Sequence, residues 1–210
     1  MYKKGKFIIK MYKSSGAVWY LDLSKIWLCP LDVSFSITDA EARAIAEEFL
    51  KRTGLRPKDS VFYKVSHSKV MVVSEGEKWE KITGATVIFR RQIDGIPVIG
   101  PGSVIRVYIN HEKEVVGFYK LWREIEKTVG IAKIISLNSA IEKAKTRRSR
   151  ADVARVDKLE FGYFAQGEAD RQRYFQPAYL FCITVEIRGA KGGYVDVISG
   201  LANPLEAFER

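Results

Sequence analysis

The chain holds two histidines, His67 and His111, and two cysteines, Cys29 and Cys182. A structural zinc site draws about four ligands from Cys, His and carboxylate side chains, and a catalytic nucleophile needs a base within hydrogen-bond reach and a third group to orient it. His111 is followed by Glu112, the opening of a helical zinc motif, but Val115 stands where the second histidine would fall. His67 lies between two strand-like runs and His111 at a hairpin tip, where exposed loop residues are expected. The carboxylates sit in helix faces, caps and turns interleaved with Lys and Arg, and no glycine-rich run has the context of a phosphate loop. The expectation is no enzyme, with no catalytic residues, no metal and no cofactor. Cys29 and Cys182 would close a loop worth about 5 kcal/mol in the chain-entropy picture if they paired in an oxidising compartment. Two unrelated buried thiols are the other reading.

Binding chemistry has more to work with. The chain has 35 basic and 25 acidic residues, a formal charge of +10. The excess is spread along the sequence, with local concentrations at Lys3, Lys4, Lys6, Lys10 and Lys13 and at Lys143, Lys145, Arg147, Arg148, Arg150 and Arg155. The second cluster is read either as a solvated face or as the footprint of a nucleic acid or other polyanion. The 10 Tyr, 11 Phe and 4 Trp could stack on bases beside such cations. Phe89, Phe118, Phe161, Tyr179 and Phe181 instead alternate with apolar partners at strand spacing, which fits core packing. At 47% hydrophobic residues the chain can bury a core, and its longest uncharged runs are far short of a membrane span.

The elements that would position these groups follow from periodicity. FIIKMY (7–12) and AVWYLDL (17–23) flank a Ser-Ser-Gly turn and predict a hairpin. Thr38 and Glu41 form a capping box that opens a helix over 38–53, with Ala42, Ile45, Ala46, Phe49 and Leu50 on one face and Gly54 ending it. Strand runs follow at 61–65, 69–73, 85–93, 103–110 and 114–122. Asp94-Gly95, Pro97 and Gly100-Pro101-Gly102 mark a tight turn that is read as structural, with a ligand loop as the alternative. The second half repeats the order more weakly. Ser136 caps a short helix bearing Ala140, Ile141 and Ala144, and strands follow at 156–165, 177–187 and 193–199.

Residues 84–122 resemble the signature of PepSY-type domains and the related propeptide domains of thermolysin-like and fungalysin-like metallopeptidases. Asp94, Gly95, Ile96, Pro97 and Val98 match an "xGxPV" turn, Ile105, Val107 and Ile109 the next strand, and Val115, Val116 and Trp122 the closing strand. Gln176, Pro177, Ala178, Tyr179, Phe181, Val185, Tyr194, Val195, Asp196 and Gly200 resemble the closing part of a second such unit. The resemblance implies an α+β fold of two modules, each an antiparallel sheet packed on one helix, at 37–128 and 129–210 after an N-terminal hairpin segment at 1–36. It implies a non-catalytic extracytoplasmic module that acts on a protein partner such as a peptidase, a sensor or a membrane protein. Asp94, Gly95 and Pro97 and the basic residues from Lys143 to Arg155 are the candidate interaction residues. The alternatives are a basic module binding nucleic acid or another polyanion, and a structural subunit of a homomeric assembly. An extracellular or cell-envelope location is expected if a signal or anchor was removed, a cytoplasmic one otherwise; the oligomeric state stays open.

Overall fold

A computed structural model describes residues 2–26, 35–74, 77–146 and 153–205. In chain order the elements are β1 (Tyr2–Lys4), β2 (Phe7–Met11), β3 (Val18–Asp22), α1 (Asp39–Thr53), β4 (Ser60–Ser74), β5 (Glu77–Ile93), β6 (Ile96–Ile99), β7 (Val104–Asn110), β8 (Val115–Leu121), α2 (Leu137–Thr146), β9 (Val153–Phe164), β10 (Gln176–Ile187) and β11 (Ala190–Ser199). They fall into two compact units, residues 1–92 with 103–123, and residues 93–102 with 124–210.

In the first unit the strands lie in the order β1-β2-β3-β8-β7-β5-β4, each antiparallel to its neighbour. Alternation along β7 sends Ile105 and Val107 to one face, where they join Val87, Phe89, Phe118 and Trp122 beneath Ala42, Ala46 and Leu50 of α1. Burying one large side chain such as Leu50 or Phe89 contributes about 1.5–3 kcal/mol. The helix begins where the capping box is complete. The Glu41 amide donates to the Thr38 hydroxyl at 3.2 Å, and the Thr38 amide donates to the Glu41 carboxylate at 2.9 Å. It ends at Gly54, whose φ of 67° takes the left-handed turn that a side chain would resist.

β4 and β5 pair far past the body of this sheet. β7 lies beside β5 only from Gly84 to Arg90, whereas the β4–β5 pairing continues to Ser74 and Glu77. Residues 69–74 and 77–82 therefore make a two-stranded ribbon. Met71 is 66% exposed, Val73 60% and Trp79 47%.

The second unit orders its strands β6-β9-β10-β11. The last three are antiparallel, but β6 runs parallel to β9, with Val98 opposite Tyr163 and Ile99 opposite Phe164. Ala140 and Ala144 of α2 pack on Phe181, Ile183 and Ile198. The Ser139 amide donates to the Ser136 hydroxyl at 3.2 Å, a cap without the reciprocal carboxylate of α1. The Tyr179 hydroxyl donates to the Ile135 carbonyl at 2.9 Å, and the Gly200 amide to the Pro177 carbonyl at 2.7 Å.

This arrangement corrects the expected fold class of two modules, each an antiparallel sheet on one helix. The described residues are mostly sheet, 51% strand against 14% helix, and the sheet mixes parallel and antiparallel pairs. The physical reason lies in the DGIPVIG segment, expected to be only a turn. Its residues 96–99 form β6 and join β9 in parallel, because Gly162 leaves room for the Pro97 backbone; a Cβ at 162 would stand 2.2 Å from the Pro97 carbonyl oxygen. The N-terminal hairpin of β2 and β3 joins the first unit's sheet, where β3 pairs with β8.

Candidate functional site

The turn residues singled out from sequence have backbone work to do. Asp94 and Gly95 adopt φ of 48° and 80°, the conformation that an Asp-Gly pair supplies most cheaply in a two-residue turn. Pro97 is exposed at the start of β6. Downstream, the Gly102 amide donates to the Ala165 carbonyl at 3.0 Å and the Ala165 amide to the Ile99 carbonyl at 2.9 Å. The adjoining polar loop is held by Gln172, whose amide nitrogen donates to the carbonyls of Phe164 at 2.7 Å and Tyr174 at 2.9 Å.

The basic cluster is divided. Lys143 and Lys145 are exposed on α2, where Lys145 pairs with Glu142 at 2.8 Å. Arg155 is on β9 and pairs with Asp157 at 2.7 Å. Asp157 also accepts from the Thr184 hydroxyl at 2.5 Å; that bond first, and the Arg155 guanidinium second, hold its carboxyl below the usual range. Arg147, Arg148 and Arg150 lie outside the described residues, as does Cys29. Cys182 is half-buried on β10, opposite Val195 and Lys158. His67 directs Nε2 to the Ile37 carbonyl at 3.2 Å and lies 3.7 Å from the Asp39 carboxylate, so it ties β4 to the approach of α1. Among the described residues no three His, Cys, Asp or Glu side chains converge to hold a metal ion, and no helix is long and apolar enough to cross a membrane.

The longest unpaired strand edge among the described residues is the outer edge of β4. Among the described residues β4 pairs with β5 alone, and it runs for 15 residues with neither Pro nor Gly. Two bulges, at 62/64 and 68/69, twist it without ending the pairing. Along the ribbon each face mixes apolar and charged side chains: Met71 faces Glu80 and Val73 faces Lys78 on one side, Val70 faces Lys81 on the other. Lys69 reaches diagonally to Glu80 at 2.7 Å. An edge of this length offers a row of backbone donors and acceptors to another chain, with alternate side chains to choose among partners. Sequence reading found the two halves of β4 as separate runs at 61–65 and 69–73. It missed that the bulges splice them into one strand.

It also missed a buried polar cluster at the foot of that strand. Arg91 is 2% exposed, its Nε 2.6 Å from the Asp59 carboxylate, its guanidinium 4.6 Å from the centre of the Trp122 ring, and its Nη1 donating to the Arg123 carbonyl at 2.6 Å. Trp122 stood out in sequence only as the end of a strand pattern.

Neither a protein-family model nor a curated protein matches the chain.

Proposed function

We propose that this chain is a non-catalytic binding and regulatory module that recognises an extended segment of a partner protein by strand addition along β4 and its ribbon. The single observation that carries this reading is the 15-residue β4, with one strand partner among the described residues and exposed apolar side chains on its distal half. Backbone hydrogen bonds along such an edge supply affinity, and the exposed side chains of Val61, Val70, Met71 and Val73, interspersed with Lys64 and Lys69, supply selectivity. The PepSY-like patterns at residues 84–122 and 176–200 support the same reading and extend it to an extracytoplasmic setting, with a peptidase, sensor or membrane protein as the partner.

The test is selection of binding peptides from a displayed random library, followed by hydrogen exchange of the complex. Peptides that bind extended should slow exchange across residues 61–73. Adjacent residues of an antiparallel edge alternate in aiming the N–H at the neighbour or away. Proline at whichever of Val65 and Ser66 aims outward should therefore abolish binding while the fold persists. Selected peptides that protect any other strand would overturn the assignment.

A further inference from the structure

Residues 124–134 have the composition of a strand but belong to none. Among the described residues 122–133 form no helix, strand, turn or bend, and 124–134 are exposed throughout. The segment has no Pro, and it carries the β-branched side chains Ile125, Thr128, Val129, Ile131 and Ile134, which suit a sheet. In a strand, alternation would put Ile125, Val129 and Ile131 on one face. Ile131 is 103% exposed and Val129 60%. Both ends are anchored: the Arg123 carbonyl accepts from Arg91 at 2.6 Å, and the Ile135 amide donates to the Gly200 carbonyl at 2.8 Å. Between them, among the described residues, no hydrogen bond or ion pair holds 124–132. Surface connections of this length are uncommon and ordinarily polar.

β4 offers what this segment lacks. Its edge runs for 15 residues, and an extended segment of 124–134 would cover about 36 Å of it at about 3.3 Å per residue. Exposed Val70, Met71 and Val73 supply cross-strand partners for Val129 and Ile131. β4 carries Lys64 and Lys69 and no Asp or Glu, whereas the segment is neutral overall, with Glu124 and Glu126 beside Lys127 and Lys133. The strands at the two ends of the order are poorer acceptors. β1 has three residues, and β11 spends Gly192 and Gly193 where cross-strand side chains would pack. Within one chain the segment and the edge stay apart. A foreign peptide would satisfy the edge alone, but a second copy satisfies both at once.

We propose that residues 124–134 of one copy add as a strand to the β4 edge of a second copy, so that the chain associates with itself by strand donation. This pairing takes β4 as an accepting edge, as the function proposed for it requires, and names the partner. Donation in both directions closes a two-fold dimer, and donation in one direction grows an open chain. Self-association and capture of a foreign segment exclude each other at β4.

The experiment is sedimentation velocity of the full chain in reducing buffer over a wide range of concentration. The wild type should pass from monomer to dimer or longer species as concentration rises. The donor variant Val129→Asp, Ile131→Asp changes two exposed side chains, so it should keep its circular dichroism and stay monomeric. The acceptor variant, with proline at whichever of Val65 and Ser66 aims its N–H outward, should also stay monomeric. An equal mixture of the two variants should form a heterodimer and nothing larger, because one keeps the edge and the other the segment. A wild type that is monomeric throughout, a donor variant that associates like wild type, or a mixture that stays monomeric would each overturn the proposal. Displayed peptides that still protect residues 61–73 of a monomeric wild type would remove self-donation and keep β4 as an accepting edge. An acceptor variant that still associates while the donor variant does not would place the segment on another strand and strike the edge itself.

Discussion

Trp122 donates its indole N–H to the Asp59 carboxylate at 3.1 Å, so the last residue of one strand pattern is tied to the turn before β4, on the carboxylate that also faces Arg91. Asp59→Ala leaves a nearly buried guanidinium without its counter-charge and an indole without its acceptor. The cost should be about 2–4 kcal/mol, measured by urea denaturation. Asp59→Asn keeps an acceptor for Trp122 and should lose less. Equal losses in the two variants would show that charge is irrelevant there.

Glu41 works at the other end of the same unit. Hydrogen bonds from the Thr38 amide, then from Lys113 and the Thr38 hydroxyl, lower its carboxyl to about 2. A depressed carboxyl stabilises the fold above its ordinary value near 4.5 and loses that contribution as pH falls through the folded value. The stability gap between wild type and Glu41→Gln should thus be full at neutral pH and shrink between about 4.5 and about 2. A gap that stays constant across this window would remove the linkage. Thr38→Ala should cost about 1 kcal/mol at neutral pH, read from the same denaturation curves.

Two glycines separate steric from conformational demand. Gly162→Ala would drive a methyl to 2.2 Å from the Pro97 carbonyl oxygen and should split β6 from β9, at a cost of about 2–4 kcal/mol. Gly189→Ala meets nothing within 4 Å and strains only its φ of +81°, so about 1–2 kcal/mol is expected. Thermal denaturation of both variants ranks them; the reverse order would mean that the parallel pair is dispensable.

Exposed charge pairs in the second unit should matter little. Lys145→Gln and Arg155→Gln break pairs with Glu142 and Asp157 in which both cations stand in solvent. Each should shift stability by less than about 0.5 kcal/mol. A larger loss at Arg155 would make the Arg155–Asp157–Thr184 chain a support of β9 and β10.

The parts of the fold legible in the sequence were those with a local cause. Thr38, Glu41 and Gly54 mark both ends of α1 because caps are chemistry within a few residues. Alternation gave β7, β8 and β10 nearly to the residue. β6 escaped because its partner is β9, some 65 residues on, and nothing near Pro97 records that Gly162 will admit it. The Asp59–Arg91–Trp122 cluster escaped for the same reason: three segments meet only after the sheet has formed. Of the candidate interaction residues, Asp94 and Gly95 read correctly as turn formers.

The β4–β5 ribbon has no core to fix its length. Beyond Gly84 neither strand has a second neighbour among the described residues, so adding two residues to each preserves which side chains face which way and moves the tip outward by about 7 Å. Removing two from each draws it in by the same step. The ribbon is a ruler graduated in residue pairs, and its reach can drift between related chains while the sheet beneath α1 stays unchanged.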